Sequence, residues 1–133
     1  MRNIALLVSL GALASCTTAP EQVTRTPEGQ REYAQLIAGK VAGPPVHCLQ
    51  SFNMQDMVPI DESTVAYRNG SRVYINHMQG VCGGLGRNAI MVTHSLGGSE
   101  SCSGDIVKMI DQSSHMMSGS CAFGEFIPYT RPR

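Results

Sequence analysis

The alternation of hydrophobic and polar residues is clearest in residues 64–86, and it predicts a β-hairpin around which the rest of the chain is organised. The dipeptide Asn69-Gly70 tolerates the positive φ angles of a two-residue type I′ turn, which matches the twist of paired strands. Closing the turn at this dipeptide places Ala66 opposite Val73. We therefore expect two antiparallel strands joined at Asn69-Gly70.

Both faces of this hairpin carry apolar side chains. One face has Val65, Tyr67 and Tyr74, and the other has Ala66, Val73 and Ile75. Because neither face is polar, we expect the hairpin to lie in the middle of a sheet or to be covered on both sides.

A glycine-rich turn around Cys82 follows the hairpin. Its glycines are Gly83, Gly84 and Gly86, and they suit a tight irregular turn or a backbone that approaches another segment closely. A phosphate-binding loop would need a helix that begins at the glycines, whereas residues 88–95 predict a strand. We therefore interpret the segment as a turn held by Cys82.

A short amphipathic helix is predicted before the strands. Thr26 is a suitable N-cap, Pro27 suits the first helical position, and Gly39 is a plausible end. The apolar positions that recur at helical spacing are Tyr33, Leu36 and Ile37. We expect this apolar face to lie on the sheet.

Further segments complete a set of about six or seven short strands. They are residues 46–52, 55–61, 88–95, 105–111 and 118–129. Pro59 indicates an edge position for the second of them, because proline cannot donate a hydrogen bond to a neighbouring strand. The pattern predicts a mainly β fold: a small antiparallel sheet, rolled or sandwiched, with one N-terminal helix.

Residues 1–15 have the features of a signal peptide. Arg2 supplies a positive charge, and the apolar stretch of residues 4–13 is too short to span a bilayer as an independent helix. Residues 16–26 are polar and without periodicity, which is typical of a flexible tether. The single folded domain is therefore predicted to span residues 27–133.

The motif Leu13-Ala14-Ser15-Cys16 resembles the lipobox of bacterial lipoproteins, which has a branched apolar residue, two small residues and a cysteine. The resemblance implies that Cys16 becomes the acylated first residue of the mature protein and binds the lipid bilayer. Thr17 occupies the next position, where a residue other than Asp implies passage to the outer membrane. An ordinary signal peptide, cut after Ala14 or Ser15, is the alternative.

The charge balance argues against nucleic acid as a partner. The chain of 133 residues has ten basic and ten acidic residues, and they are scattered along the sequence. Trp is absent and aromatic residues make up 5% of the chain, so a base-stacking surface is not predicted. A domain of this size has a small hydrophobic core, so covalent cross-links would add to its stability.

Four cysteines remain after Cys16, namely Cys48, Cys82, Cys102 and Cys121. An even number in a small exported domain predicts two disulfides, and three pairings are possible. If the last two strands form a hairpin that turns at Gln112-Ser113, Cys102 lies opposite Cys121 and within disulfide reach. This geometry favours the pairs Cys102–Cys121 and Cys48–Cys82.

A periplasmic copper or zinc site is the alternative use of these residues. Each of the four histidines, His47, His77, His94 and His115, lies within eight residues of a cysteine, and the chain has eight methionines. The segment His115-Met116-Met117 is the best local cluster. However, no CxxC or HxxxH spacing is present, and an oxidising compartment consumes free thiols. We therefore assign no metal ligand and no cofactor.

No catalytic set of residues is evident. Asp61-Glu62 is a pair of carboxylates in a predicted turn, where solvation is expected. The serines that flank glycines do not form GxSxG. His94 and Ser95 are adjacent on a strand, so their side chains point to opposite faces. We therefore expect a protein that is not an enzyme.

The contexts of the cysteines resemble those of a family. The motifs are Gly43-Pro44-Pro45 before Cys48, Gly80-Val81-Cys82-Gly83-Gly84-Leu85, Ser101-Cys102-Ser103-Gly104-Asp105-Ile106 and Gly119-Ser120-Cys121-Ala122-Phe123-Gly124. Over residues 43–128 the chain is similar to short, four-cysteine exported proteins and lipoproteins of Gram-negative bacteria that carry a domain of unknown function. The resemblance implies a periplasmic domain with paired cysteines and no assigned activity. We expect an envelope lipoprotein that acts as an accessory or interaction module, with another envelope protein as its partner.

Overall fold

The computed structural model describes residues 24–86, 88–95 and 98–133. The predicted signal peptide, Cys16 and most of the predicted tether lie outside the described residues. One helix, α1 (Pro27–Ile37), precedes the strands, and a 3₁₀ turn spans Ser51–Asn53. The strands are β1 (Val41–Ala42), β2 (Cys48–Gln50), β3 (Asp56–Asp61), β4 (Thr64–Asn69), β5 (Arg72–His77), β6 (Ala89–His94), β7 (Glu100–Cys102), β8 (Ile106–Asp111), β9 (Met117–Ala122) and β10 (Phe126–Thr130).

The described strands form three antiparallel sheets, which confirms the mainly β fold class. Sheet A has the order β1-β10-β5-β4-β3, sheet B pairs β2 with β7, and sheet C has the order β6-β8-β9. The predicted hairpin, β4 and β5, lies inside sheet A, and the strand that contains Pro59 is at its edge. Both positions agree with the sequence-based expectation.

The register of the hairpin differs from the prediction. Ala66 lies opposite Ile75 rather than Val73, and the turn is formed by Gly70 and Ser71. Gly70 has a φ of 60°, as the first central position of a type II′ turn requires. Because this change moves the partner by two residues, every side chain stays on its predicted face.

The apolar side chains form two layers on opposite faces of sheet A. One layer lies between sheets A and C and includes Val65, Tyr67, Tyr74, Val107, Met109, Cys121, Phe123 and Phe126. The other lies between sheet A and α1 and includes Tyr33, Leu36, Ile37, Val58, Ile60, Ala66, Val73 and Ile75. The hairpin is thus covered on both sides, and the fold is a sandwich with one helix.

Helix α1 begins and ends as the sequence predicts. The Thr26 side chain accepts a hydrogen bond from the Gly29 amide at 3.1 Å, and Pro27 occupies the first turn. Gly39, just beyond the helix, has a φ of 68°. A Cβ atom at Gly29 would collide with the carbonyl oxygen of Ile60. The glycine therefore allows the first turn of the helix to lie directly on β3.

The predicted last strand is divided between two sheets, which is one reason why the described strands number ten rather than six or seven. Strand β9 belongs to sheet C and β10 to sheet A, and the chain crosses between them at Gly124. The buried side chain of Asn76 donates to the Gly124 carbonyl at 2.8 Å and accepts from its amide at 3.0 Å. This pair of hydrogen bonds holds the crossing.

The predicted disulfide pairing, Cys48–Cys82 with Cys102–Cys121, is wrong. The structure pairs Cys48 with Cys102 and Cys82 with Cys121. The prediction required Cys102 to continue the strand that pairs with β9. Instead a turn at Gly104, with a φ of 95°, separates Cys102 from β8, and Cys121 lies opposite Val107.

Cys102 lies instead on β7, directly opposite Cys48 on β2, with their Cα atoms 4.0 Å apart. The Asp105 carboxylate holds the intervening turn by accepting a hydrogen bond from the Cys102 amide at 2.8 Å. No strand was predicted between residues 95 and 105, so the β2–β7 pair was not anticipated.

Candidate functional site

The two disulfides lie in different environments. Cys82 and Cys121 are buried, with exposed fractions of 0% and 8%, and they join the glycine-rich turn to β9 within the core between sheets A and C. Cys48 and Cys102 are half-buried and join the two strands of sheet B. Two disulfides were predicted correctly from the sequence, but the cysteine spacing does not distinguish a core cross-link from a surface one.

The residues considered for a metal site are not brought together. Among the described residues, one group of three has ligand atoms close enough for a metal ion: Cys48, Glu100 and Cys102. The two sulfur atoms of this group are bonded to each other, so it offers no thiolate. The Glu100 carboxylate accepts a hydrogen bond from Gln50 at 2.8 Å. The arrangement is that of a cross-linked strand pair.

The segment His115-Met116-Met117 covers the end of the exposed turn after β8 and the first residue of β9. His115 has a φ of 57°, a left-handed conformation that is uncommon for a residue with a Cβ atom. The Met116 and Met117 side chains are 69% and 61% exposed. Their sulfur atoms therefore face solvent rather than a ring of ligands.

A cluster of polar side chains lies where the chain enters the domain, and we call it the Arg25 cluster: Arg25, Tyr33, Asp61, His77 and Tyr129. The Arg25 Nε atom is 2.8 Å from the Asp61 carboxylate, and its guanidinium lies 4.3 Å from the centre of the Tyr33 ring. The Tyr33 and Tyr129 hydroxyls are 3.4 Å apart. Together these contacts join the chain before α1 to β3 and β10.

The prediction that Asp61 is solvated is wrong. Its side chain is 6% exposed, and its carboxylate accepts hydrogen bonds from the Ser63 amide at 2.9 Å and the Ser63 hydroxyl at 3.0 Å in addition to the Arg25 ion pair. Arg25 was assigned to the tether, because a single arginine in a polar segment carries no sequence signal for an ion pair with a residue 36 positions away.

The electrostatics of the Arg25 cluster follow from burial and from these partners. Burial raises the pKa of Asp61, but the hydrogen bonds from Arg25 and Ser63 outweigh it, so the pKa lies below its usual value. Burial raises the pKa of Tyr33 to about 12, and the contact with Tyr129 adds to the rise while Arg25 opposes it.

His77, the remaining member of the cluster, lies at the end of β5 and is exposed at the surface. Burial lowers the pKa of His77, the charge of Arg25 lowers it further, and Asp61 opposes both effects. The His77 ring lies 3.5 Å from the Thr64 hydroxyl. His77 is thus held as neutral imidazole at neutral pH. The polar side chains of the cluster find their ion-pair and hydrogen-bond partners mainly in one another.

A groove of ≈ 390 Å³ lies next to the Arg25 cluster, between the start of α1, β3 and the glycine-rich turn. Its walls are Thr24, Thr26, Glu28, Gly29, Glu32, Pro59, Ile60, Asp61, Glu62, Leu85 and Gly86. The groove is open to solvent, and Asp61 within it is already paired with Arg25. The groove shows that Thr24 lies close to the turn that leads into β6, because both line its walls.

The most distinctive exposed surface is apolar. Five large side chains near or on the outer face of sheet C form what we call the outer apolar patch: Ile90, Val92, Ile106, Met116 and Met117, with exposed fractions of 44%, 43%, 47%, 69% and 61%. This patch was not predicted from the sequence, because both faces of β6 and β8 carry apolar residues and the alternation does not tell which face is covered.

Ser95 and His94, which were considered for hydrolysis, both have structural contacts. The Ser95 hydroxyl donates a hydrogen bond to the Glu100 carbonyl, and His94 lies on the outer face of sheet C opposite Ile106. These contacts support the strand that ends at His94. They do not place a base next to a nucleophile.

Within the part of the chain that the structure describes, no helix is both long and apolar enough to cross a membrane.

Comparison with known proteins leads to a family. No match is found among curated proteins or among solved structures. The chain does match the profile described as "Family of unknown function (DUF6491)" over residues 1–130, which is nearly its whole length. The chain therefore belongs to the DUF6491 family, whose function is unknown.

Proposed function

We propose that the protein is an envelope lipoprotein whose small, disulfide-linked β domain acts as a non-enzymatic interaction module at the periplasmic face of the outer membrane. In this proposal, acylated Cys16 binds the lipid bilayer, and the domain of residues 27–133 meets its partner within reach of the membrane.

The observation that carries the proposal is the motif Leu13-Ala14-Ser15-Cys16 at the end of a short apolar stretch. A diacylated and then N-acylated cysteine would carry three acyl chains, more than the two hydrophobic signals that stable anchoring requires. Thr17 after the cysteine supports sorting to the outer membrane.

The covalent structure of the domain supports an oxidising compartment. All four cysteines after Cys16 are paired in two disulfides, and disulfides of this kind persist in exported proteins. The outer apolar patch supports an interaction role, since exposed groups of large apolar side chains mark surfaces that contact something else.

The test is the intact mass of the mature protein, purified from membranes and treated with an alkylating reagent before and after reduction. We expect a mass that begins at Cys16 with three acyl chains, no alkylation before reduction, and alkylation of four thiols after it. The control is Cys16→Ser, which retains the domain and should lose both the acyl mass and membrane association.

A mature chain that begins elsewhere and carries no lipid would contradict the anchor. Free thiols, or a native mass heavier by one metal ion, would instead support periplasmic metal binding. Turnover of a small substrate by the purified protein would contradict the non-enzymatic part of the proposal.

A further inference from the structure

We propose that Met54, Met57 and Met91 form a binding site for a soft monovalent metal ion, Cu(I), at the edge between sheets A and C. The inference goes beyond the proposed function, because it assigns a ligand to the domain, and it does not depend on the anchor at Cys16. It rests on three thioether side chains that line one small pocket.

Three separate parts of the chain bring these methionines together. Met57 lies on β3 opposite Tyr67 on β4, and Met91 lies on β6. Strands β3 and β6 are edge strands of sheets A and C. Met54 follows the 3₁₀ turn, and its amide donates a hydrogen bond to the Ser51 carbonyl at 3.0 Å. The three side chains therefore meet where the two sheets and the 3₁₀ turn adjoin.

The pocket between the three methionines has a volume of ≈ 220 Å³. Its other described walls are side chains with hydroxyl groups, namely Ser51, Tyr67, Thr93 and Ser101. Each of the three methionines packs against the core between the sheets but is only partly buried. Because a methionine side chain has three rotatable bonds, its sulfur atom can move within such a space. The sulfur atoms can therefore approach one ion without a movement of the strands.

The Tyr67 hydroxyl orients one of the three sulfur atoms. Tyr67 is 2% exposed, and its hydroxyl donates a hydrogen bond to the Met91 sulfur, with the two atoms 3.5 Å apart. A thioether is a weak acceptor, and its second lone pair stays free to bind a metal ion. Burial raises the pKa of Tyr67, so the hydroxyl stays protonated and adds no charge to the pocket.

The composition of the walls favours a soft ion of low charge. Among the described residues that line the pocket, none is acidic, basic or a histidine. Thioethers are soft ligands and suit Cu(I), whereas Zn²⁺ and Cu(II) are usually bound by imidazole, carboxylate or thiolate groups. A monovalent ion also costs less to bring into a site without a counter-charge than a divalent ion does. The pocket therefore fits Cu(I).

The state of the cysteines leaves thioethers as the soft ligands of the described domain. Its four cysteines are joined in two disulfides and offer no thiolate. A thioether forms no disulfide and carries no proton, so it can bind a soft ion in an oxidising compartment. Because thioethers are neutral ligands, we expect the ion to be held reversibly and to dissociate during purification, so that the purified chain has the mass of protein and lipid alone.

Other methionines of the domain differ from these three in their exposure. Met109 is 0% exposed and belongs to the core, whereas Met116 and Met117 are 69% and 61% exposed. The methionines of the pocket lie between these extremes. Their sulfur atoms can be reached from solvent while the core holds their side chains in place, as a metal site requires.

The experiment is isothermal titration calorimetry of the purified mature protein in detergent and a chloride-free buffer. Cu(I) is supplied under nitrogen as its acetonitrile complex, and Ag(I), a soft ion of the same charge, is the probe that is stable in air. The test variant carries Met54→Leu, Met57→Leu and Met91→Leu, because leucine has nearly the volume of methionine without the sulfur. The control variant, Met116→Leu with Met117→Leu, removes two exposed thioethers elsewhere. Far-ultraviolet circular dichroism verifies that both variants are folded.

We expect the wild type and the control variant to bind one ion per chain, and the test variant to bind at least about tenfold more weakly, because it lacks the soft ligands. The affinity of the wild type should change by less than about twofold between pH 7.5 and pH 5.5, because thioethers do not titrate, whereas histidine ligands would take up protons.

A second measurement needs no variant. Hydrogen peroxide converts accessible methionines into sulfoxides, and peptide mapping follows each methionine separately. Bound Ag(I) should slow the oxidation of Met54, Met57 and Met91 at least about threefold, because the sulfur lone pairs are then occupied, and should leave Met116 and Met117 unchanged.

Several results would overturn the proposal. They are an absence of binding by the wild type, equal binding by the wild type and the test variant, and oxidation rates that Ag(I) does not change at the pocket. Loss of binding in the control variant would move the site to the exposed turn after β8. Binding that appears only after reduction of the disulfides would assign the ion to Cys48 and Cys102 instead.

Discussion

Asp61 and Asp56 each form an ion pair with an arginine, but the two carboxylates differ in their exposure to solvent. Both carboxylates bind an arginine Nε atom at 2.8 Å. The Asp56 and Arg68 side chains are each 52% exposed, whereas the Asp61 side chain is 6% exposed and has additional hydrogen bonds from Ser63. An exposed ion pair contributes little to stability, but a buried carboxylate and its donors depend on each other.

We therefore predict that Asp61→Ala lowers the free energy of unfolding by about 1–3 kcal/mol, because the Ser63 amide and the Arg25 guanidinium lose their acceptor. The matched control, Asp56→Ala, should cost no more than about 1 kcal/mol. Urea denaturation measures both. Equal losses for the two variants would contradict the structural role given to Asp61.

His77 should make the stability of the domain depend on pH. Because the pKa of folded His77 lies below its ordinary value of 6.5, the unfolded chain takes up a proton first as the pH falls. The stabilising contribution is complete above pH 6.5 and is lost as the pH falls from 6.5 through the pKa of the folded state. Arg25 and Asp61 are the charged groups that act on the ring, and Thr64 is its polar neighbour.

The measurement is the midpoint of thermal unfolding from pH 7.5 to pH 5. The wild type should lose more stability over this range than His77→Gln, which has no titrating group at that position. His47→Gln, which changes a histidine outside the Arg25 cluster, is the control variant for the loss of one histidine. Identical curves for the wild type and His77→Gln would refute the assignment.

Two glycines determine how the glycine-rich turn meets β9. A Cβ atom on Gly119 would lie 2.5 Å from the Gly83 carbonyl oxygen and 2.8 Å from the Gly83 nitrogen. These are backbone atoms that cannot move away as a flexible side chain could. The close approach lies beside the Cys82–Cys121 disulfide, so the two glycines and the disulfide together fix the turn against sheet C.

Gly119→Ala should therefore destabilise the domain by about 1–3 kcal/mol through overpacking. Ser120→Ala, at the next position but on the exposed face of β9, should change the stability by less than about 0.5 kcal/mol. Denaturant unfolding of the two variants distinguishes them. A neutral Gly119→Ala would mean that β9 and the turn can separate without cost.

For the whole molecule, the two disulfides make different contributions despite similar loop lengths. They close loops with sequence separations of 54 and 39 residues, for which the chain-entropy treatment gives nearly the same stabilisation, about 4 kcal/mol. Cys82 and Cys121 also fill part of the core, whereas Cys48 and Cys102 lie half-exposed.

We predict that the double variant Cys82→Ala with Cys121→Ala is less stable than Cys48→Ala with Cys102→Ala by about 1–2 kcal/mol, because buried sulfur atoms leave a cavity when they are removed. Each variant retains one disulfide and no free thiol in the domain. Peptide mapping without reduction first verifies the pairing, and thermal unfolding then ranks the two variants. The reverse order would contradict the placement of the Cys82–Cys121 bridge in the core.

Local features of the chain determined much of the fold. Thr26, Pro27 and Gly39 limit the helix because capping and backbone geometry involve neighbouring residues. The two apolar faces of the central hairpin were predicted correctly although the predicted register was wrong. A shift of two residues in the pairing leaves every side chain on the same face.

The sequence by itself determined the helix, the central hairpin with its two faces, and the presence of two disulfides, because each of these depends on spacing along the chain. Only the tertiary structure decided which cysteines pair, where the last strand divides at Gly124, and that Asp61 binds Arg25. It also decided which side of sheet C is left uncovered. These features arise from contacts between residues far apart in the sequence, where the pattern along any one strand contains no information about its partner.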